Sequence, residues 1–147
     1  MESFKKLGLS QGIIQLIADA GFKEPTDVQA KAIPLVLHGK DVMGSSATGS
    51  GKTLAFGAGI IERLEPGKGI QCLVLTPTRE LAEQVSQSLK YFAKYRRLIV
   101  REIYGGVSIG PQVHALRDAD IVVGTPGRIL DHLKQRNFVL DAIKYLV

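Results

Sequence analysis

Apolar positions along the chain follow two patterns, short continuous runs and stripes with helical spacing. The continuous runs predict β-strands over 41–44, 71–76, 98–104, 120–124 and 143–147. The stripes predict helices, so that strands and helices alternate from residue 41 onward. Such alternation predicts an α/β fold with a mostly parallel sheet and right-handed crossovers.

Capping residues delimit the predicted helices. Ser10 begins a helix that ends at Gly21, and Thr26 begins a second one that Pro34 kinks or divides. Further helices are predicted over 54–64 and 111–116, from within 77–82 and from Thr125 onward. The helix that begins within 77–82 has a predicted buried stripe of Leu81, Ala82, Val85, Leu89 and Phe92.

The segment 46–53 reads Ser-Ala-Thr-Gly-Ser-Gly-Lys-Thr and separates the first predicted strand from a helix. Strand, glycine-rich turn and helix, with Gly-Lys-Thr at the hinge, is the context of a phosphate-binding loop. Gly49 and Gly51 would let backbone N–H groups turn toward phosphate oxygens. Lys52 would reach the β- and γ-phosphates, and the Thr53 hydroxyl would bind Mg²⁺. Ser46 stands where the general pattern has glycine. The alternative to a phosphate-binding loop is an ordinary surface turn with this sequence.

Three joints of the predicted fold, at Thr48, Thr78 and Thr125, run from strand to helix. Ligands of open parallel sheets bind at the carboxyl ends of the strands, so we expect all three joints on one rim. Arg79 and Arg128 lie beside the second and third joints. One joint suits a nucleoside triphosphate, and the other two suit the phosphate backbone of a nucleic acid.

Several residues that could bind a ligand also have an ordinary structural explanation. Gln29 follows Thr26 at the spacing of a capping box, which would tie its side chain to the Thr26 N–H. Phe22 has the character of a core residue. The basic run 90–101 is typical of a solvated face.

Composition narrows the class of protein. The chain has 147 residues, 45% of them hydrophobic, and a net charge of +5. This length suits one domain, and the charge is compatible with a polyanionic partner. A single cysteine, Cys72, precludes an internal disulfide. With no secretion signal and no apolar run of membrane-spanning length, we expect a soluble cytoplasmic protein without membrane contact.

These motifs together resemble the amino-terminal RecA-like domain of the DEAD-box RNA helicases. Phe4, Gly21-Phe22, Pro25-Thr26 and Gln29 resemble the Q motif, and 46–53 is similar to motif I, where the family usually has alanine at the Ser46 position. The segment 77–82 resembles motif Ia, Gly105-Gly106 the glycine doublet, and 125–128 with Asp131 motif Ib. The resemblance implies a P-loop, three-layer fold that is incomplete at its carboxyl end. It places Q-motif helices in 1–40, part of the first RecA-like domain in 41–147, and no second RecA-like domain.

The resemblance implies ATP and Mg²⁺ as cofactors. It implies that Gln29 bonds the adenine edge, that Phe22 stacks on the ring and that Thr26 supports the loop, so that cap and adenine recognition would compete or alternate. The implied nucleotide-binding residues are Phe22, Pro25, Thr26, Gln29, Ser46, Ala47, Thr48, Gly49, Ser50, Gly51, Lys52 and Thr53, with Lys52 and Thr53 catalytic and Thr53 also the Mg²⁺ ligand.

Single-stranded RNA is the implied partner, held without sequence specificity through phosphate and 2′-hydroxyl contacts. The implied contacts are Pro77, Thr78, Arg79, Glu80, Gly105, Gly106, Thr125, Pro126, Gly127 and Arg128. The 147 residues contain no Asp-Glu-Ala-Asp, and their one Ser-Ala-Thr, at 46–48, belongs to the glycine-rich loop, so the family's separate Ser-Ala-Thr coupling motif is absent as well. We therefore expect a fragment that binds nucleotide weakly and neither hydrolyses ATP nor unwinds RNA alone. In the family fold, the strand that carries the coupling motif lies beside the strand predicted over 41–44. Without it, we expect the 41–44 strand to lack this neighbour and to expose an edge.

Two other functions remain open from the residues. A non-catalytic module would bind ATP or RNA without turnover. A P-loop kinase of small molecules would need an acceptor pocket and a catalytic acid, and neither is identifiable. The kinase would also have no use for the segments 77–82 and 125–128.

Overall fold

Four helices form the first of two compact units in a computed structural model that describes all residues from 1 to 147. This unit, Met1–Arg63, contains α1 (Glu2–Lys5), α2 (Gln11–Asp19), α3 (Asp27–Leu37) and α4 (Lys52–Arg63). Its large apolar side chains that are fully buried are Phe4, Ile13, Ile17, Ile33 and Ile61. Phe4, the aromatic upstream of the Q motif, is therefore a core residue.

The contact between α3 and α4 requires a glycine. A Cβ at Gly59 would lie 2.8 Å from Val36 Cγ1, which is closer than packed carbon atoms approach. Pro34 lies inside α3 without dividing it, so of the two predicted outcomes, division of the helix does not occur.

A parallel sheet of four strands organises the second unit, Leu64–Val147. Its elements are β1 (Cys72–Leu75), α5 (Arg79–Ala93), a 3₁₀ turn (Lys94–Arg96), β2 (Val100–Ile103), α6 (Gly110–Leu116), β3 (Ile121–Gly124), α7 (Pro126–Lys134) and β4 (Tyr145–Leu146). The strand order is β2-β3-β1-β4, and every pairing is parallel. The predicted α/β class and parallel sheet are confirmed.

Apolar side chains of the strands and helices form the core of this unit. Ile103, Ile121, Val122 and Val123 are fully buried, as expected for parallel strands covered on both faces. Asp120 is buried beside them, and its carboxylate accepts hydrogen bonds from the Gly67 and Ile99 N–H groups, both at 2.8 Å. These bonds fix the loops that enter β1 and β2.

The strand predicted over 41–44 does not form. Val42 and Met43 are exposed, and no backbone hydrogen bond pairs this segment with another strand. A strand is stabilised by its neighbours, and this apolar run has none. Two smaller differences are that Leu81 is exposed rather than part of the buried stripe of α5, and that α1 had no predicted counterpart.

None of the helices combines the length and the apolar character needed to cross a membrane.

Candidate functional site

The glycine-rich loop 46–51 presents free backbone donors to solvent. Gly49 and Gly51 have φ angles of +78° and +81°, in the left-handed region that glycine tolerates best. The N–H groups of Gly49, Gly51, Lys52 and Thr53 donate to no protein acceptor. Unpaired N–H groups at a helix start form an anion-binding concavity, so the loop fits a polyphosphate chain.

The side chains of Ser46, Ser50 and Lys52 form hydrogen bonds within the loop region. The Lys52 ammonium donates to the Ser46 and Ala47 carbonyls at 2.6 and 3.0 Å. The Ser46 and Ser50 hydroxyls are hydrogen-bonded at 2.6 Å. Serine at position 46 therefore joins the two ends of the loop, which an alanine there could not do.

The Thr26–Gln29 segment is bonded directly to this loop. Thr26 Oγ1 donates to the Ser50 carbonyl at 2.8 Å, and Gln29 Nε2 donates to the Gly51 carbonyl at 3.2 Å. The predicted capping box is present as well, since Gln29 Oε1 accepts from the Thr26 N–H at 3.0 Å. A Cβ at Gly51 would collide with Gln29 Nε2, so this glycine also permits the close approach.

The fully buried Gln29 side chain has further bonding capacity. A primary amide offers two N–H donors and two acceptor lone pairs, and the structure uses one of each. Phe22 and Pro25 lie half-buried at the entry to α3. The competition between cap and adenine, and the role of Phe22, stay predictions.

In the second unit, three predicted segments meet at one edge of the sheet. The joint at Thr78 follows β1, the Gly105-Gly106 doublet follows β2, and the joint at Thr125 follows β3. Backbone bonds continue past the strand ends, from Thr76 N–H to the Gly124 carbonyl and from Thr125 N–H to the Ile103 carbonyl. The carboxyl ends of neighbouring parallel strands therefore bring these segments together, while the predicted place of the Thr48 joint on the same rim stays a prediction.

Backbone donors and small groups dominate this edge. The Thr78 hydroxyl caps α5 by accepting from the Leu81 N–H at 3.2 Å, whereas Thr125 makes no side-chain cap bond to α7. Pro77, Glu80, Pro126 and Gly127 are exposed, and Gly106 has a φ of +80°. Exposed helix starts of this kind suit phosphate oxygens.

Arg79 lies against the ring of Tyr104. Its Cζ atom is 4.6 Å from the ring centroid, and its Nε approaches Glu83 Oε1 at 3.4 Å. Tyr104 donates to the same carboxylate oxygen at 2.9 Å, and this bond raises the pKa of the phenol. Glu83 and Tyr104 thus orient a guanidinium that remains accessible to solvent.

Arg128 is more enclosed, with a side chain that is 14% exposed. Its Nη1 donates to the Val107 carbonyl at 3.0 Å and to Gln112 Oε1 at 3.1 Å. His132, four residues further along α7, contacts the same amide oxygen. The arginine is therefore partly engaged in holding the loop after the glycine doublet.

Residues 26–147 match the family model described as "DEAD/DEAH box helicase". The chain belongs to this helicase family. The match begins at the capping residue of α3 and covers the glycine-rich loop and all four strands.

Relatives and solved structures of the family agree with this assignment. The chain is 47% identical over 146 residues to "RNA helicase CrhR" from Synechocystis sp., covering 99% of this chain and 30% of that protein. A crystal structure of a DEAD box protein from Methanococcus jannaschii superposes with a TM-score of 0.94 at 44% identity, covering 98% of this chain and 40% of that one. A hypothetical ATP-dependent RNA helicase from Sulfolobus tokodaii gives 0.85 at 41% identity, covering 94% and 40%.

These comparisons confirm the family and the RecA-like fold. The chain spans less than half the length of each of these three proteins.

Four residues around the predicted helicase motifs escaped the sequence argument, namely Glu83, Tyr104, Gln112 and His132. Two of them carried a usable signal. Glu83 and His132 each follow a motif arginine by four residues on a helix, the spacing that brings side chains together. Tyr104 and Gln112 reach the arginines through the tertiary fold, which no local pattern encodes.

Proposed function

We propose that this chain is the ATP- and RNA-binding part of an ATP-dependent RNA helicase. In the whole protein, binding and hydrolysis of ATP would drive local separation of RNA duplexes or remodelling of RNA–protein complexes. The observation that carries the proposal is the hydrogen bonding of Thr26 and Gln29 to the glycine-rich loop. A base-reading segment tied to a phosphate-binding loop suits a site that distinguishes ATP from other triphosphates.

The donor set fits ATP with Mg²⁺. The free N–H groups of Gly49, Gly51, Lys52 and Thr53 would hold the phosphates together with the Lys52 ammonium. The Thr53 hydroxyl would supply one Mg²⁺ ligand. Bound Mg²⁺ neutralises charge on the β- and γ-phosphates. Lys52 must leave the Ser46 and Ala47 carbonyls to reach the phosphates, a rearrangement of one flexible side chain.

RNA would bind along the carboxyl edge of the sheet. This edge offers hydrogen-bond donors that suit a ribose-phosphate chain rather than base edges. They come from the amino ends of α5 and α7, from the glycine doublet and from Arg79. We therefore propose sequence-nonspecific binding of single-stranded RNA. A second RecA-like domain of the same protein is the proposed partner for catalysis.

Hydrolysis needs groups that these 147 residues do not contain. Phosphoryl transfer depends on carboxylates that place the metal and the attacking water, and the sequence has no Asp-Glu-Ala-Asp. We propose that the chain alone binds nucleotide without turnover.

The lone thiol is compatible with a cytoplasmic location, which we also propose. Cys72 is buried, and burial raises its pKa to about 12, so the thiol stays protonated and unreactive.

Substitution of Lys52 tests the nucleotide site. Lys52→Ala should abolish ATP binding measured by equilibrium titration with a fluorescent ATP analogue, because it removes the only cation of the loop. Lys31→Ala removes an exposed lysine from α3 and serves as the matched control. In the protein expressed from the complete gene, RNA-stimulated ATPase activity should disappear with Lys52→Ala. Undiminished ATP affinity in this variant would refute the proposed site.

A further inference from the structure

A buried polar cluster lies behind the RNA-binding edge, outside every motif of the sequence argument. It consists of Gln112 on α6, His132 on α7 and Asn137 in the loop after α7. Gln112 is 7% exposed and His132 is fully buried. Buried polar side chains destabilise a fold unless they are hydrogen-bonded, so their partners show what they stabilise.

Donor and acceptor roles in this cluster are determined by two groups outside it, the Arg128 guanidinium and the Tyr104 carbonyl. A guanidinium only donates, so the Gln112 atom that contacts Arg128 Nη1 at 3.1 Å is the amide oxygen. A backbone carbonyl only accepts, so the atom 2.8 Å from the Tyr104 carbonyl is the Gln112 amide nitrogen. The orientation of the amide is therefore fixed.

The tautomer of His132 follows from that orientation. Its Nε2 lies 2.9 Å from the Gln112 oxygen and must donate, and its Nδ1 then accepts from Asn137 Nδ2 at 3.0 Å. Both ring nitrogens are thus used by a neutral imidazole. A protonated imidazole would place a donor against the Asn137 amide group.

The cluster and Arg128 together hold both ends of the glycine doublet. Gln112 binds the Tyr104 carbonyl immediately before Gly105, and Arg128 binds the Val107 carbonyl immediately after Gly106. The same amide oxygen of Gln112 receives both Arg128 and His132. One side chain therefore connects the glycine turn to the first turn of α7, two of the three segments of the RNA-binding edge.

We propose that Gln112 and His132 are positioning residues for RNA binding, which act through Arg128 and the Gly105-Gly106 turn. His132 orients the Gln112 oxygen, Gln112 orients Arg128, and the two carbonyl bonds keep the turn in the conformation that presents its backbone to a phosphate chain. Arg128 Nη1 is engaged within the protein and Nε lies 3.8 Å from Asp131 Oδ2, so Nη2 would be the nitrogen that donates to the ligand. The inference rests on the proposed RNA function.

The test compares two buried glutamines in the protein expressed from the complete gene. Gln112→Met keeps the volume but removes all three hydrogen bonds of the amide. We expect about a tenfold loss of affinity for a single-stranded RNA, since one of these bonds is to a charged group. Gln71→Met is the matched control. Gln71 is equally buried and also binds loop backbone, at the Glu65 N–H and carbonyl, but it precedes β1 and so lies at the other end of the strands. We expect Gln71→Met to leave RNA affinity unchanged when folded fractions are equal.

A double-mutant cycle separates positioning from general destabilisation. If Gln112 acts through Arg128, Gln112→Met should cost much less RNA affinity in an Arg128→Ala background than in the native one. Equal losses in the two backgrounds would overturn the inference. RNA affinity equal to that of the native protein in Gln112→Met would overturn it as well.

His132 provides a second route if Gln112→Met fails to fold. His132→Gln can still donate to the Gln112 oxygen and should retain more RNA affinity than His132→Leu, which cannot. Equal affinities of these two variants would contradict the positioning role. If Arg79→Ala and Arg128→Ala both leave RNA affinity intact, the proposed RNA function itself fails, whereas a loss in those variants without a loss in Gln112→Met refutes only the present inference.

Discussion

At the scale of single residues, His132 couples the fold to pH. Burial lowers the pKa of His132, Arg128 lowers it further, and Asp131 opposes the shift. The unfolded chain takes up a proton near the ordinary value of 6.5, whereas the folded chain does so only at lower pH. The unfolded state then binds more protons, so the free energy of unfolding should fall as pH drops below about 6.5.

Urea unfolding at a series of pH values from 8 to about 5 measures this dependence. His132→Gln lacks the titrating group, so its free energy of unfolding should fall less steeply over the same interval. His114→Gln, on the neighbouring helix α6, is the control and should behave like the native chain. Parallel curves for native protein and His132→Gln would show that this histidine does not carry the effect.

At the scale of elements, α5 and α7, whose first turns are proposed to bind RNA, differ in how their amino ends are capped. The Thr78 hydroxyl accepts from the Leu81 N–H, and loss of such a cap costs about 1 kcal/mol. Thr125 begins α7 without a side-chain cap bond. Thr78→Ala should therefore lower the free energy of unfolding by about 1 kcal/mol, and Thr125→Ala by clearly less, in chemical denaturation. Equal losses would mean that the Thr78 bond contributes nothing.

The elements also show which parts of the fold the sequence could predict. The capping box at Thr26 and Gln29 and the helix after Thr78 depend on residues three positions apart, and both formed as predicted. The strand predicted over 41–44 did not form. A strand needs a neighbouring strand, and local sequence does not specify whether one is there. The partner of Arg128 was missed for the same reason, because Gln112 is 16 residues away and reaches it only through the packing of α6 beside β2.

At the scale of the whole molecule, the net charge of +5 gives little guidance to where RNA binds. Both ends of the basic run 90–101 are paired with carboxylates, since Lys90 lies 2.6 Å from Glu102 and Arg101 lies 2.8 Å from Asp118. Arg101 and Asp118 share two hydrogen bonds, which makes Arg101 a poor phosphate ligand. We therefore expect RNA affinity to depend on the carboxyl edge of the sheet rather than on the basic run.

Arg79→Ala and Arg101→Ala are matched variants, because each substitution removes one positive charge from the same unit. Binding of a single-stranded RNA should be titrated at several salt concentrations for both alanine variants of the complete protein. Each phosphate contact contributes about 0.7 to the slope of log affinity against log salt for single strands. Arg79→Ala should lower the affinity and reduce that slope by about this amount, with similar losses for poly(A) and poly(U). Arg101→Ala should preserve the slope, since the Arg101 guanidinium is held by two hydrogen bonds to Asp118, whereas Arg79 makes one long contact with Glu83 at 3.4 Å. If Arg101→Ala reduces the slope and Arg79→Ala does not, RNA binds along the basic run, and the sheet edge is not the RNA site.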